Sequence, residues 1–465
     1  MSGVTEARPA VEHARTRHRI GDLDVAAVVE TTPLVVDGLP VGDAWTYSYS
    51  VGSGRRPVLF LFNGGPGCSS VWLHLSGLGP FGAAVPADLT QTALPEEPLI
   101  PVGDSLLDAA DLVFLDPVDT GFSRRDPRAD VSAISGTDRD ADLTTAVIRA
   151  WLVRHGRVGS PVFLLGESYG TIRAALTATR LREEGASVAG IAFLGQCLNA
   201  QETTQRPGNP AGFVAALPFL AATAWYHGRG AYRDADLDEL VCRAHAFAIG
   251  PYAQALSQSA LEPSMVDAVA GYTGLTTGQV RERRLRIDKE EFRTILLPGR
   301  VVGLTDTRYT VDAAPAGSTQ PELDAADVRL DPVFTAASQQ LFGRLGVTQV
   351  VGYRFAAASH EHWDYLEASA VGRFGGSALP SPFAVFDYPA HLSALLRADS
   401  GARLFFGTGH FDALTTVGSL EHLLVQYGLP ASRVTQGRYP GGHMMYTDPV
   451  SRSALVGDLR AFLRG

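Results

Sequence analysis

A serine in the segment Gly166-Glu167-Ser168-Tyr169-Gly170 is the residue best placed to do chemistry in this chain. The segment follows the apolar run at 162–165 and precedes an alanine-rich helical pattern. G-x-S-x-G between a strand and a helix sets the serine on a tight turn, so that its hydroxyl projects from the edge of a sheet. The sequence therefore predicts that Ser168 is a nucleophile.

The nucleophile needs two partners farther along the chain. A serine hydroxyl is weak near neutral pH, so a histidine must accept its proton and a carboxylate must orient that histidine, in the order serine, acid, histidine. Asp412 follows the apolar run at 403–406, and His443 follows a glycine turn, so both fit these roles. His410, which precedes the acid, is the second choice of base. A capping Asp412 and a solvated His443 are the ordinary alternatives.

A glycine-rich loop, Asn63-Gly64-Gly65-Pro66-Gly67-Cys68, follows the apolar run at 58–62. Attack on a carbonyl creates a negative oxygen, which backbone N–H groups presented by glycines can stabilise. We expect Gly65 to supply one such group and Tyr169, the residue after the nucleophile, to supply the other. A plain Gly-Pro turn is the alternative for this loop.

Four motifs occur in order: N-G-G-P-G-C-S-S at 63–70, L-D-P-V-D-T-G-F-S at 115–123, G-E-S-Y-G at 166–170 and G-G-H-M-M-Y at 441–446. Together they resemble the serine carboxypeptidase family, peptidase family S10, and the segment at 217–228 is similar to its bacterial branch. The resemblance implies an α/β-hydrolase that removes C-terminal residues from peptides through an acyl-enzyme on Ser168, without a cofactor.

The resemblance also implies a site for the terminal carboxylate of the peptide, formed here by Asn63, Gly64 and Glu167. A glutamate that faces another carboxylate holds its proton, because two anions repel and a shared proton gives a strong hydrogen bond. Ionisation of Glu167 should therefore weaken peptide binding and affect ester turnover less. A helix first-turn position is the ordinary interpretation of Glu167. Many members have a further Glu where this chain has Gly77, which leaves the detailed geometry open.

Three other functions stay open at this point. An acyltransferase or ligase would use the same acyl-enzyme with an amine or an alcohol in place of water. A simple esterase would make no demand on Asn63 and Glu167. A catalytically dead binding protein is the remaining class, and the intact set of Ser168, Asp412 and His443 argues against it.

The composition limits the classes of partner that this protein is expected to bind. With 39 basic and 49 acidic residues the formal net charge is −10, which argues against nucleic-acid binding, and Lys289 is the only lysine. We find neither a signal peptide nor a membrane-spanning run, and three scattered cysteines match no metal pattern. We expect a cytoplasmic, metal-free protein that acts on a peptide or small acyl substrate. The oligomeric state is left open, with a homodimer as one option.

The elements that must position these residues alternate along the chain. Apolar strands are predicted at 58–62, 112–115, 162–165, 191–194 and 403–406, with helices such as 138–155 and 171–184 between them. This alternation predicts an α/β fold with a mostly parallel sheet and helices on both faces. A hairpin with strands at 24–30 and 44–51 should precede it, and residues 1–20 read as loosely ordered.

Helical patterns replace the strand rhythm after Asn199. We therefore predict an α/β-hydrolase core in two parts, 1–198 and 381–465, and a mainly helical cap inserted at 199–380 over the C-terminal edge of the sheet. In this cap, ion pairs with nearby acids are the expected role of Arg300 and Arg308. The segment at 360–364 lacks the histidine spacing of zinc peptidases.

Overall fold

The computed structural model describes residues 5–52, 54–315, 324–348, 352–357, 363–365 and 387–465. Its strands are β1 (Thr5–Ala7), β2 (Val11–Ile20), β3 (Leu23–Val36), β4 (Leu39–Val51), β5 (Val58–Phe62), β6 (Phe81–Ala83), β7 (Leu99–Pro101), β8 (Asp111–Asp116), β9 (Val162–Glu167), β10 (Val188–Leu194), β11 (Arg300–Val302), β12 (Thr310–Asp312), β13 (Arg403–Gly409) and β14 (Val434–Tyr439). Ten of these strands form one sheet in the order β1-β3-β4-β8-β5-β9-β10-β13-β14, with β2 paired to β3.

The centre of this sheet is parallel. Strands β8, β5, β9, β10, β13 and β14 pair in parallel, whereas the pairs among β1 to β4 and the pair β4–β8 are antiparallel. Every residue of β5 and β9 is buried, as expected for parallel strands covered on both faces. The predicted mostly parallel α/β sheet is confirmed, and the predicted hairpin is confirmed as β3 and β4, joined at Asp37-Gly38.

The prediction of loose order for residues 1–20 is wrong for 5–20, because β1 and β2 lie in this range and both pair with β3, and residues 1–4 lie outside the described residues. Strand β2 is an edge strand that alternates partly buried and exposed residues, with arginines at 15, 17 and 19. Charged side chains are common on edge strands, where they discourage pairing with another chain. The same composition therefore resembles a disordered tail when it is read without its partner strand.

The described helices are α1 (Val71–His74), α2 (Thr137–Arg154), α3 (Tyr169–Glu183), α4 (Ala200–Thr203), α5 (Pro210–Tyr226), α6 (Leu237–Phe247), α7 (Ala253–Leu256), α8 (Pro263–Thr273), α9 (Thr277–Glu282), α10 (Lys289–Ile295), α11 (Ala325–Arg344), α12 (Pro389–Ala398), α13 (Val417–Tyr427) and α14 (Pro449–Arg464). Alternate residues of β5 belong to two different core clusters, one shared with α11 and α14 and the other with α2, α3, α12 and α13. Both faces of the sheet are therefore covered. Within the described part of the chain, no helix is both long enough and apolar enough to cross a membrane.

Helices between β10 and β13 have a hydrophobic core of their own, formed mainly by α5, α6 and α8 to α10. This core also includes Phe411, Ala413 and Val417, which flank Asp412 in sequence. Helix α11 instead packs into the core on one face of the central sheet. The bounds predicted for the cap, 199–380, stay a prediction, and residue 380 lies outside the described residues.

One buried ion pair joins the elements that carry the predicted site. Arg173 on α3 is 0% exposed, and its Nε donates to Asp140 Oδ2 of α2 over 2.7 Å. A second nitrogen of the guanidinium donates to the carbonyl oxygen of Asn63, directly after β5. Because a buried charge is costly unless it is paired and hydrogen-bonded, this contact fixes the end of β5 against α2 and α3.

Replacing this arginine should destabilise the whole fold. Arg173→Met leaves the Asp140 carboxylate buried without its ion-pair partner, so we expect the free energy of unfolding to fall by about 3–5 kcal/mol in urea denaturation at pH 7. Arg149→Met on α2, which removes an exposed pair with Glu184, is the matched control and should cost no more than about 1 kcal/mol. Equal losses in the two variants would contradict this interpretation.

Candidate active site

The turn that holds Ser168 is strained in the way its motif predicts. Ser168 lies between β9 and α3 with φ at +58°, a conformation that residues other than glycine rarely adopt. A methyl group on Gly166 would lie 2.0 Å from the carbonyl oxygen of Gly170, so the turn closes only with glycine at that position. The N–H group of Ser168 donates to Leu194 O over 2.9 Å. Its side chain lines a cavity of about 440 Å³.

Asp412 and His443 meet as the sequence predicts. Asp412 is completely buried after β13, and its Oδ2 accepts a hydrogen bond from His443 Nδ1 over 2.8 Å. Thr415 Oγ1 donates to the same oxygen over 2.6 Å, and the N–H groups of Leu414 and Thr415 donate to Oδ1. The carboxylate therefore accepts four hydrogen bonds, which fix its orientation toward the imidazole.

Ser168 and His443 both lie beside the segment Leu194-Gly195, but they do not form a hydrogen bond with each other. Leu194 O holds the N–H group of Ser168, and a methyl group on the next residue, Gly195, would lie 2.9 Å from the His443 ring. His443 Nε2 is buried and has no hydrogen-bond partner among the described residues. The bond between serine and histidine is thus not formed in this structure, and such contacts are often long before substrate binds.

The glycine loop contacts the nucleophile turn directly. A methyl group on Gly64 would lie 2.5 Å from Tyr169 N, which places the loop against the first residue of α3. The first N–H groups of a helix have no partner inside the helix, so Tyr169 N–H is suited to stabilise an oxyanion. Gly65 follows with φ at +101° and lines the same cavity as Ser168. The two predicted oxyanion donors therefore come from adjacent backbone segments.

Glu167, the last residue of β9, and Asn63, the first residue after β5, meet beside the nucleophile. Asn63 Nδ2 donates to Glu167 Oε1 over 2.6 Å, while Asn63 Oδ1 accepts from the N–H group of Leu73. Glu167 is 4% exposed, and its Oε2 has no hydrogen-bond partner among the described residues. Burial raises the pKa of Glu167 to about 7, against the opposing effect of the His443 charge. Below about pH 7, this carboxyl group is therefore mostly protonated.

The rival base has a different partner. His410 Nε2 lies 2.9 Å from Asp238 Oδ1 on α6, and His410 does not contact Asp412 through any described hydrogen bond. Arg308 pairs with Asp306 and Asp448, and Arg300 pairs with Asp312, as expected. The segment at 360–362 lies outside the described residues.

Sequence reasoning missed Lys289, although it noted that this is the only lysine. Lys289 begins α10, and its Nζ donates to Leu414 O over 2.8 Å, in the loop that carries Asp412. Burial lowers the pKa of Lys289, whereas the charge of Asp412 acts against that. Burial alone would lower the pKa of His443, but the Asp412 carboxylate outweighs it and raises that pKa, with Lys289 acting in the lowering direction. The only sequence signal for a role of Lys289 was that the chain has no other lysine.

The mostly parallel sheet with helices on both faces is that of the α/β-hydrolase fold. Over 90% of this chain and 86% of the other, the structure matches the crystal structure of Kex1Δp, a prohormone-processing carboxypeptidase from Saccharomyces cerevisiae, with a TM-score of 0.54 at 15% identity. A likeness at this identity shows the shared fold alone. The α/β-hydrolase fold predicted from the motifs is confirmed.

The family resemblance is confirmed as well. Residues 45–188 match the family model for serine carboxypeptidases, so this part of the chain is similar in sequence to that family. Serine carboxypeptidase-like 16 of Arabidopsis thaliana is 35% identical over 116 residues, 24% of this chain and 25% of the relative. The pheromone-processing carboxypeptidase KEX1 of Cryptococcus gattii is 36% identical over 123 residues, 25% of this chain and 16% of the relative. The matched segments thus span a quarter or less of these relatives.

Removing the charge of Lys289 should change the titration of His443. Lys289→Met is expected to raise the pKa of His443, because the nearby positive charge that disfavours the imidazolium is lost. A general base works only when it is neutral, so the acid limb of Ser168 labelling by a fluorophosphonate should move to higher pH, by up to about one unit. The rate of labelling measured from pH 4 to pH 9 tests this.

Lys289→Arg keeps the charge and should keep the wild-type profile. Asp412, Glu167 and Asp327 also act electrostatically with His443, and all three stay in place in both variants. A profile that is lower in rate but unshifted in pH in Lys289→Met would show that Lys289 has only a structural role.

Proposed function

We propose that this protein is a serine carboxypeptidase, an enzyme that releases the last residue of a peptide. The observation that carries the proposal is the buried pair of Asn63 and Glu167, whose side chains are hydrogen-bonded over 2.6 Å. Glu167 directly precedes the nucleophile, and Asn63 begins the glycine loop that packs against the nucleophile turn. A simple esterase has no need of a protonated carboxyl group there. A protonated glutamate beside an asparagine amide offers two donors to the carboxylate at the end of a peptide.

The residues give a balanced acyl-transfer sequence. Ser168 Oγ attacks the last peptide carbonyl carbon while its proton passes to His443 Nε2, and Asp412 stabilises the resulting imidazolium. The N–H groups of Gly65 and Tyr169 hold the negative oxygen of the tetrahedral intermediate. When the C–N bond breaks, His443 gives its proton to the departing amine. Water, deprotonated by the same histidine, then attacks the acyl-enzyme, and His443 returns that proton to Ser168 Oγ as the bond to the shortened peptide breaks.

The lining of the cavity at Ser168 suggests which side chains are preferred before the scissile bond, in the part of the peptide that forms the acyl-enzyme. Beyond the loop and turn residues its described lining includes Ile172, Leu414, Tyr365 and Tyr388, and no charged side chain. Cys197 also lines it, and burial raises the pKa of this thiol to about 12, so the sulfur stays neutral. We therefore infer a preference for peptides with an apolar or aromatic residue before the scissile bond.

Peptide binding should weaken as the pH rises through about 7. The pKa of Glu167 is raised, so the protonated form that can donate to a carboxylate is complete well below this pH and is lost above it. We expect the KM for an N-blocked dipeptide, which has a free C-terminal carboxylate, to rise by up to about tenfold per pH unit above pH 7. The KM for the matching ester should change less. Steady-state kinetics from pH 5 to pH 9 measure both.

Glu167→Gln is the matched variant for this prediction, because glutamine keeps the shape and cannot ionise. Its KM for the dipeptide should be nearly independent of pH over the same range. A KM that rises equally in wild type and in Glu167→Gln would assign the pH dependence to another group.

A peptide library distinguishes the proposed activity from its neighbours. Mass spectrometry on mixed peptides between pH 4 and pH 8 should show stepwise loss from the C-terminus, and Ser168→Ala should abolish it. Cleavage within chains or from the N-terminus would overturn the proposal. Adding free amino-acid amides tests acyl transfer, since products extended by the amide at the expense of hydrolysis would identify an acyltransferase.

A further inference from the structure

The side chain of Tyr169 is held at the tip of its ring and on one face. Tyr169 is 3% exposed, and its hydroxyl donates to Asp140 Oδ2 over 3.1 Å. The same oxygen accepts from Arg173 Nε over 2.7 Å, and the Arg173 guanidinium lies over the Tyr169 ring, 5.3 Å from its centroid. Burial and the Asp140 charge raise the pKa of the phenol well above its usual value, so the hydroxyl keeps its proton and stays a donor.

Trp363 completes the hydrogen bonding of this phenol from 194 residues farther along the chain. Its Nε1 donates to the Tyr169 hydroxyl oxygen over 3.2 Å, and the two rings meet edge to face with their centroids 5.3 Å apart. The phenol oxygen therefore accepts one hydrogen bond and gives one, so the donors run in one direction from Trp363 through Tyr169 to Asp140. A charged acceptor at the end of such a chain strengthens the bonds that lead to it.

The segment 363–365, which carries Trp363, is fixed at its other two residues. The N–H group of Thr137, the first residue of α2, donates to Asp364 O over 2.8 Å. The first N–H groups of a helix have no partner inside the helix, so this carbonyl satisfies one of them. The hydroxyl of Tyr388, directly before α12, donates to the carbonyl oxygen of Tyr365. Trp363 therefore contacts Tyr169 from a backbone that is tied to two separate helices.

The position of the Tyr169 ring matters because its own backbone N–H group is one of the two predicted oxyanion donors. Only two rotatable bonds separate the ring of a tyrosine from its Cα atom. A ring that is bonded at its tip by Trp363 and Asp140 and covered by Arg173 thus restricts the backbone of Tyr169. An oxyanion donor is effective only when it lies at hydrogen-bonding distance from the place where the negative oxygen develops.

We propose that Trp363 is a positioning residue for the oxyanion site, which fixes the side chain of Tyr169 and thereby its N–H group. This inference rests on the acyl-transfer chemistry of the proposed function but not on a peptide substrate, because an ester forms the same kind of tetrahedral intermediate. Removing a whole oxyanion donor lowers kcat by about 10²–10³. A displaced donor keeps part of its effect, so loss of the Trp363 hydrogen bond should lower kcat about tenfold.

The test compares Trp363→Phe, which keeps an aromatic ring without the N–H group, with Tyr169→Phe and with the double variant. The substrate is the 4-nitrophenyl ester of N-acetylphenylalanine. In Trp363→Phe we expect kcat to fall about tenfold and KM to change by less than about twofold. The inhibition constant of N-acetylphenylalaninal, an aldehyde that forms a tetrahedral adduct with Ser168, should rise by the factor by which kcat falls.

Trp225→Phe is the matched control. It removes a hydrogen bond of 2.8 Å from a half-buried indole on α5 to Ala235 O, in a part of the chain that does not line the cavity at Ser168. We expect neither kcat nor the inhibition constant to change in this variant.

The double variant decides whether Trp363 acts through Tyr169. If it does, Trp363→Phe lowers kcat in the wild-type protein and has no further effect in Tyr169→Phe. Equal losses in both backgrounds, an unchanged kcat, or a change in KM alone would each overturn the proposal. If the ester is hydrolysed while peptides keep their last residue, the proposed carboxypeptidase activity fails and the variants still decide the role of Trp363. A wild-type protein that turns over neither substrate overturns both.

Discussion

The guanidinium of Arg173 is out of contact with water, so its charge must be met inside the protein, and the groups that meet it come from separate elements. Asp140 on α2 supplies the countercharge, and the carbonyl of Asn63 supplies a second acceptor. Arg173 itself lies one turn into the helix that starts at the nucleophile. Because none of these groups can move without exposing an unpaired charge, the loop with Asn63 and the turn with Ser168 keep a fixed relation.

That fixed relation decides the chemistry of the site. Glu167 is held among buried groups that raise its pKa to about 7, while the Asp412 carboxylate accepts four hydrogen bonds from neighbours and from His443. Two carboxyl groups in one site thus differ in their environments, one unpaired at an oxygen and one fully hydrogen-bonded. Environments that separate two such groups suit them for different tasks, and the proposed function assigns recognition to Glu167 and orientation of the base to Asp412.

The chain between β10 and β13 also contacts Asp412 and His443 or their neighbours. Thr305 O accepts the N–H group of His443 over 2.6 Å, and Phe411 O accepts that of Thr307 over 3.0 Å. Lys289 reaches from α10 to the loop of Asp412. Movement of this region would therefore alter the orientation of both Asp412 and His443.

The sequence by itself determined the features that depend on neighbours along the chain: the strand–turn–helix at Ser168, the glycine loop after β5, the alternation of the parallel strands and the order of serine, acid and histidine. Such features are local, since a tight turn or a buried strand selects its own residue types. Only the tertiary structure decided the pairing of β2, the partner of His410 and the place of Lys289. Their roles depend on which distant segment packs against them. The same residue type can be solvated or buried, and the sequence does not show which.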